Sequence, residues 1–130
     1  MANLNLIALR AIRMRAEQTS YAIQPGRTVD LALVATNQSP VTADALVAVT
    51  SHIGPVTVVG NTAIPADGVL IVDGPNRAVH AGALAAVKPA STATATVMLT
   101  KPISSGPIYE FTFRFAHAGE TTVGVPVFAD

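Results

Sequence analysis

Apolar and polar residues alternate with a period of two along most of the chain. The clearest stretch is Ile108 to Ala116, where Tyr109, Phe111, Phe113 and Phe115 fall on one side of an extended ribbon and Glu110, Thr112 and Arg114 on the other. Three of the four phenylalanines and one of the two tyrosines therefore share one face, which must be a core face or a docking face. The same alternation sorts Val29, Leu31, Leu33 and Ala35 from Thr28, Asp30 and Thr36, and it places Ala43, Ala45, Val47 and Val49 together. Between Ser91 and Thr100, Ala93, Ala95, Val97 and Leu99 oppose Thr92, Thr94, Thr96 and Thr100. Val123, Val125 and Val127 share a face of the last ribbon, and Pro126 within it predicts an edge position, because proline gives no ladder hydrogen bond. Shorter runs at Val56–Val59, Val69–Val72 and Arg77–Ala81 read as strands too, while Gly82–Val87 is alanine-rich enough for one helical turn before Pro89 stops it.

Turn residues separate these ribbons at Pro25-Gly26, Asn37-Gln38-Ser39-Pro40, Gly54-Pro55 and Gly60-Asn61. Asp67-Gly68 and Asp73-Gly74 flank Val69–Val72 in the manner of a tight hairpin or meander. Residues 4–16 fit two periods. Leu4, Ile7, Ala8 and Ala11 would line a helix face, whereas Leu4, Leu6, Ala8, Ile12 and Met14 would line a strand face. The strand is the better reading, preceded by an extended arm, so residues 1–15 form an N-terminal arm or first strand and residues 16–130 the main domain. With turn signals so closely spaced and no room for crossover helices, the pattern predicts an all-β antiparallel two-sheet sandwich, immunoglobulin-like with a jelly roll as the alternative.

Composition narrows what such a sandwich could do. Eight basic and eight acidic residues among 130, with 12% of positions charged, give no long-range field to gather nucleic acid or anionic lipid. The absence of cysteine excludes a disulfide framework, a thiolate metal site and a thiol nucleophile within this sequence. No apolar stretch approaches the roughly 20 residues of a membrane-spanning helix. The first ten residues lack a basic leader ahead of their apolar run, which predicts a protein not secreted by a signal peptide. A mean hydropathy of +0.46 suggests outer surface covered by other subunits.

Reactive constellations are sparse. His52, His80 and His117 lack the short spacings that build a zinc site on one element, and no metal or other cofactor is expected. Asp67, Asp73 and Asp44 could coordinate calcium only as scattered ligands, and a turn role suits both Asp-Gly pairs better. Ser51 and His52 are neighbours on a predicted strand, so their side chains point to opposite faces and make a poor dyad. Glu110 and Glu120 are conceivable paired carboxylates, although nothing in their spacing sets the separation that glycoside hydrolysis requires. Arg10, Arg13 and Arg15 form the one local charge cluster, a partner-binding candidate whose guanidinium forks suit carboxylates on another protein.

The stretch from Ile23 to Asn37, with its Pro25-Gly26 turn and a strand ending in asparagine, resembles the opening of bacterial and phage immunoglobulin-like domains. Ala118 to Val127 is similar to their final strand. A single small cysteine-free domain of this kind also resembles the decoration, or cement, proteins of tailed-phage capsids. That resemblance implies a non-enzymatic virion component of a bacteriophage, assembled in the host cytoplasm, which self-associates as a trimer and clamps the major capsid protein or other virion subunits. A carbohydrate- or surface-binding immunoglobulin-like module is the alternative, and it calls for exposed aromatics. A cupin-type enzyme would need clustered histidine and carboxylate ligands.

Overall fold

A computed structural model describes residues 2–4, 6–16, 25–74, 90–103 and 107–129. The described residues form strands β1 (Ala2–Leu4), β2 (Ile7–Ala16), β3 (Thr28–Asn37), β4 (Asp44–Ser51), β5 (Val56–Gly60), β6 (Ala63–Ile64), β7 (Val69–Asp73), β8 (Ala90–Met98), β9 (Tyr109–Phe115), β10 (Gly119–Val125) and β11 (Val127–Ala129). One sheet runs β1-β2-β3-β7-β8-β5, with β11 on β2; the other runs β10-β9-β4-β6. The chain passes repeatedly between them, and the all-β two-sheet sandwich expected from the alternation is the fold observed.

The alternating faces meet where the pattern places them. Val29, Leu31, Leu33 and Ala35 of β3 and Ala93, Ala95 and Val97 of β8 are buried, and they share one core with Phe111, Phe113 and Phe115 of β9. The aromatic ribbon is thus internal, and Phe111 and Phe113 stack at a centroid separation of 6.4 Å. Each such ring stabilises the folded state by roughly 2–3 kcal/mol through burial alone.

Residues 7–16 are a strand of the larger sheet, and the domain division drawn at residue 15 falls inside it. The phase differs from the expected one in the first half of the strand. Before the bulge at Ala11, Ile7 and Leu9 are buried in the core and Leu6 is 51% exposed, although Ala8 is buried as expected; after it Ile12 and Met14 face the core as expected. Pairing with β3 slips between Arg10 and Arg13, where Ala11 takes a φ of 54°. One extra residue in the bulge switches the inward parity from odd positions before it to even positions after it. No single period fits both halves.

The two Asp-Gly pairs also diverge. Asp67 adopts a φ of 53° and Gly68 donates to the Pro65 carbonyl at 2.9 Å, a true turn into β7. Asp73 instead belongs to β7, which pairs in parallel with β8, so Asp73-Gly74 closes no hairpin. Every residue of β7 is buried, as befits a strand enclosed on both faces. The expected strand at 77–81 and helical turn at 82–87 lie outside the described residues. Pro126 marks the place where the chain changes sheets: β10 is an edge strand paired to β9, and β11 joins β2 in the opposite sheet. The Pro126 carbonyl accepts the Met14 N–H at 2.9 Å across that change.

Candidate functional site

Three polar clusters stand out in the sandwich, and the hydrogen bonding of each defines what it is free to do. At the end where β3 leaves its sheet, Asn37 is buried and donates through Nδ2 to the carbonyls of Thr42 at 2.8 Å and Ile64 at 3.3 Å. Its Oδ1 accepts the Ser39 N–H at 2.9 Å, and Ser39 Oγ accepts the Thr42 N–H at 3.1 Å. An asparagine followed by Ser-Pro is a local signal for such a side-chain turn. The cluster ties β3 to the loop before β4.

Asp44 forms the second cluster, at the same end. Its Oδ1 accepts N–H groups from Ala45 at 2.8 Å and His117 at 2.9 Å, and its Oδ2 accepts from Ala118 at 2.9 Å. The carboxylate thereby fastens the β9–β10 turn to the start of β4. Its oxygens serve backbone donors rather than a calcium ion.

The third cluster lies on the outer face of the larger sheet. Arg15 Nη1 reaches both carboxylate oxygens of Asp73, at 3.0 and 2.9 Å, and Asp73 Oδ1 also accepts the Gly74 N–H at 2.8 Å. The Asp30 side chain lies against Gly74, where an added Cβ would collide with its carboxyl group. Arg15 is therefore the ion-pair partner of Asp73, with its side chain 19% exposed. Arg10 is exposed, while Arg13 donates to the Ala11 carbonyl at 2.7 Å within the bulge. The three arginines share a strand that is integral to the sheet.

The remaining candidates do not come together. His52 follows β4 and His117 follows β9, and because these strands are antiparallel neighbours the two imidazoles sit at opposite ends of the ladder. At about 3.3 Å per residue that separates them by on the order of 20 Å. His80 lies outside the described residues. Ser51 Oγ donates to the Glu110 carbonyl at 2.8 Å, so the hydroxyl is tied to backbone. Glu120 pairs with Arg114 in the ladder while Glu110 pairs with Gly124. The two glutamates are consequently roughly 13 Å apart along the strands, beyond the separation of a glycosidase pair. Among the described residues no group of three His, Cys, Asp or Glu is placed to hold a metal ion.

A region without titratable chemistry is the strand pair β5–β8. Neither Ile53–Ala66 nor Ala90–Thr100 contains an ionisable side chain. Its outer face carries Thr57, Val59, Thr92, Thr94, Thr96 and Met98, with Val59 62% and Met98 54% exposed. Gly54 lets the entering chain pass close to β8, since a Cβ there would collide with the Met98 carbonyl.

Comparison with known proteins identifies the lineage. The family model described as "LpqE-like: Putative lipoprotein LpqE-like" matches residues 7–127. The chain belongs to that family. It is 50% identical over 127 residues to proteins named "Putative lipoprotein LpqE" from Mycobacterium tuberculosis and Mycobacterium bovis, matching 97% of this chain and 68% of theirs. The Mycobacterium leprae protein of the same name is 45% identical over 131 residues. Among solved structures, the copper-bound PCuAC domain from PmoF2 superposes with a TM-score of 0.70 at 18% identity, covering 99% of this chain and 97% of that one. The apo PCuAC domain from PmoF1 gives 0.71 at 16% identity, covering 99% and 98%. At these identities the likeness is one of fold.

These relationships overturn the phage reading. A turn followed by an alternating ribbon, which Ile23–Asn37 and Ala118–Val127 encode, is common to unrelated sandwiches and carries no lineage. The cement-protein identity, the capsid partners with their trimeric clamp, and the virion location all fall with it, because the relatives are mycobacterial proteins bearing a lipoprotein name. The immunoglobulin-like surface module falls too; among the described aromatic side chains, Phe111, Phe113 and Phe115 are buried in the core and Tyr109 is partly buried.

The copper in one of the PCuAC structures raises the question of whether this chain's donors suit such an ion. Cuprous copper favours thioether, thiolate and imidazole ligands. Here Met14 is 0% exposed in the core, Met98 points outward from β8, and His52 and His117 occupy opposite ends of the smaller sheet. Among the described residues, the buried Met14 and the two separated imidazoles assemble no copper centre, and His80 lies outside those residues.

Proposed function

We propose that this chain is the folded domain of a bacterial cell-envelope lipoprotein and that it acts by binding rather than by catalysis. The observation that carries the reading is 50% identity along 97% of the chain to mycobacterial proteins named as lipoproteins. The polar interior supports the non-enzymatic part. Asn37, Ser39, Asp44 and Asp73 all hydrogen bond within the protein, and no buried side-chain nitrogen or oxygen among the described residues lacks a partner. A catalytic group is ordinarily left available to substrate, with its acidity tuned for the task. The sequence has no cysteine, so a thioether-linked acyl chain is not carried on these 130 residues, and the proposal concerns the domain itself.

Fractionation of the native organism with an antibody to this domain tests the location. The expected result is recovery with the envelope and digestion by protease added to wall-stripped cells. Recovery in the cytosol, protected from protease, would refute it. The purified domain, incubated anaerobically with Cu(I) and desalted, is expected to retain substoichiometric copper. Retention of one equivalent would replace the binding-module reading with that of a copper carrier.

A further inference from the structure

Among the described residues, strand β5 ends the larger sheet and pairs only with β8. The Pro55 carbonyl accepts the Met98 N–H at 3.0 Å, and the Asn61 N–H reaches the Thr92 carbonyl at 3.3 Å. In an antiparallel ladder the residues facing a partner alternate, so Pro55, Thr57, Val59 and Asn61 direct their backbone groups at β8. Val56, Val58 and Gly60 therefore direct theirs away from the sheet. Among the described residues, these three present N–H and C=O groups without a backbone partner along one line.

Other edges of the sandwich carry the devices that keep such lines from pairing. Strands β1, β6 and β11 are only three, two and three residues long. Strand β10 bears Glu120 and two glycines, and Ile108 packs against Gly124. Strand β5 has the sequence VTVVG, with no charge and no proline inside it. Val56 and Val58 are only partly buried against the core, and exposed Val59 and Met98 flank them on the outer face.

The geometry points to β5 as a docking edge for an extended, uncharged peptide segment of a partner protein, which adds to the sheet as a further strand. Backbone hydrogen bonds to Val56, Val58 and Gly60 supply the attachment, and alternate apolar side chains of the guest lie beside Val59 and Met98 or over Val56 and Val58. Charge selects against a charged guest, since neither β5 nor its neighbour β8 holds an ionisable side chain to pair with one. Area selects against a second copy. Two rigid sandwiches meeting along five-residue strands bury well under the roughly 1,000 Å² that a stable dimer needs, whereas a peptide contact is sustained as a weaker, transient one. The proposal is independent of the envelope location, because peptide binding and fractionation succeed or fail separately.

The test is a titration of the ¹⁵N-labelled domain with a capped synthetic peptide copying residues 55–61, read by NMR and amide exchange. Binding is expected to shift and protect the amides of Val56, Val58 and Gly60 and to leave those of β10 unmoved. Val58→Pro removes one outward N–H that no ladder uses, and Val59→Lys adds a charge on an exposed position. Each is expected to weaken the peptide at least tenfold while the rest of the spectrum stays native. Unperturbed amides at millimolar peptide, or equal affinity in both variants, would overturn the assignment. So would a concentration-dependent dimer in sedimentation that protects the same three amides without peptide, which would make the occupant a second copy.

Discussion

The end of the sandwich built from Asn37, Ser39 and Asp44 and the corner built from β5 and β8 treat hydrogen-bonding capacity in opposite ways. At the first, side-chain oxygens and nitrogens reach backbone groups up to 74 residues away in sequence, and the loops are bound to one another. At the second, there is no ionisable side chain, and among the described residues the backbone groups along the edge face outward without ladder partners. Polarity in this fold marks where the structure is closed. The region with least side-chain chemistry is the one left able to meet another molecule, by main chain and small apolar surface.

Removing residues 1–15 makes the widest test of that division, because β2 brings Ile7, Leu9 and Met14 into the core and Ile7 pairs with Asn37 at the closed end. The truncated chain is expected to lose cooperative unfolding altogether in circular dichroism. A retained sharp transition would mean that β2 is a detachable arm. Asp44→Ala comes next. It strands three backbone donors that now meet a carboxylate, and a loss of roughly 3–5 kcal/mol is expected from urea denaturation. A loss below about 1 kcal/mol would show that water substitutes freely there and that the closed end is not closed.

Arg15→Met sharpens the middle case. The pair it breaks is partly exposed, at 19% and 12% for the two side chains, so the expected loss lies between surface and buried bridges, at about 1–2 kcal/mol. An unchanged denaturation midpoint would reduce the pair to a surface contact. Val59→Lys should alter stability least, within about 0.5 kcal/mol. If it destabilised the domain as much as Asp44→Ala, the corner would be a structural seam and the contrast would vanish.

How far these features could be read from sequence varies with the range of the interactions behind them. The ribbons at β3, β8 and β9 were legible because each face is sorted by its own neighbours two residues apart. Gly54-Pro55 and Gly60-Asn61 likewise bracketed β5 at its observed limits. Its position at the end of a sheet was not legible, since strand order is decided by pairing with β8, which lies more than thirty residues downstream. The inward face of β2 was read correctly at Ile12 and Met14 but not at Leu6, because a bulge at Ala11 changes parity without any glycine to announce it. Asp73-Gly74 was taken for a hairpin because turn-favouring residues do not encode whether the next strand returns antiparallel or crosses over. Asp44 looked like a loose calcium ligand, since its donors at His117 and Ala118 are 73 and 74 residues distant. Arg15 was grouped with Arg10 and Arg13 by proximity along the chain, while its carboxylate partner is 58 residues away.

The parallel contact of β11 with β2, in which Val127, Phe128 and Ala129 lie beside Met14, Arg15 and Ala16, has a mechanical meaning. Tension applied between the first long strand and the last would pull these neighbours past each other along their common axis. Their bonds would then share the load and yield together, instead of unzipping singly from one end.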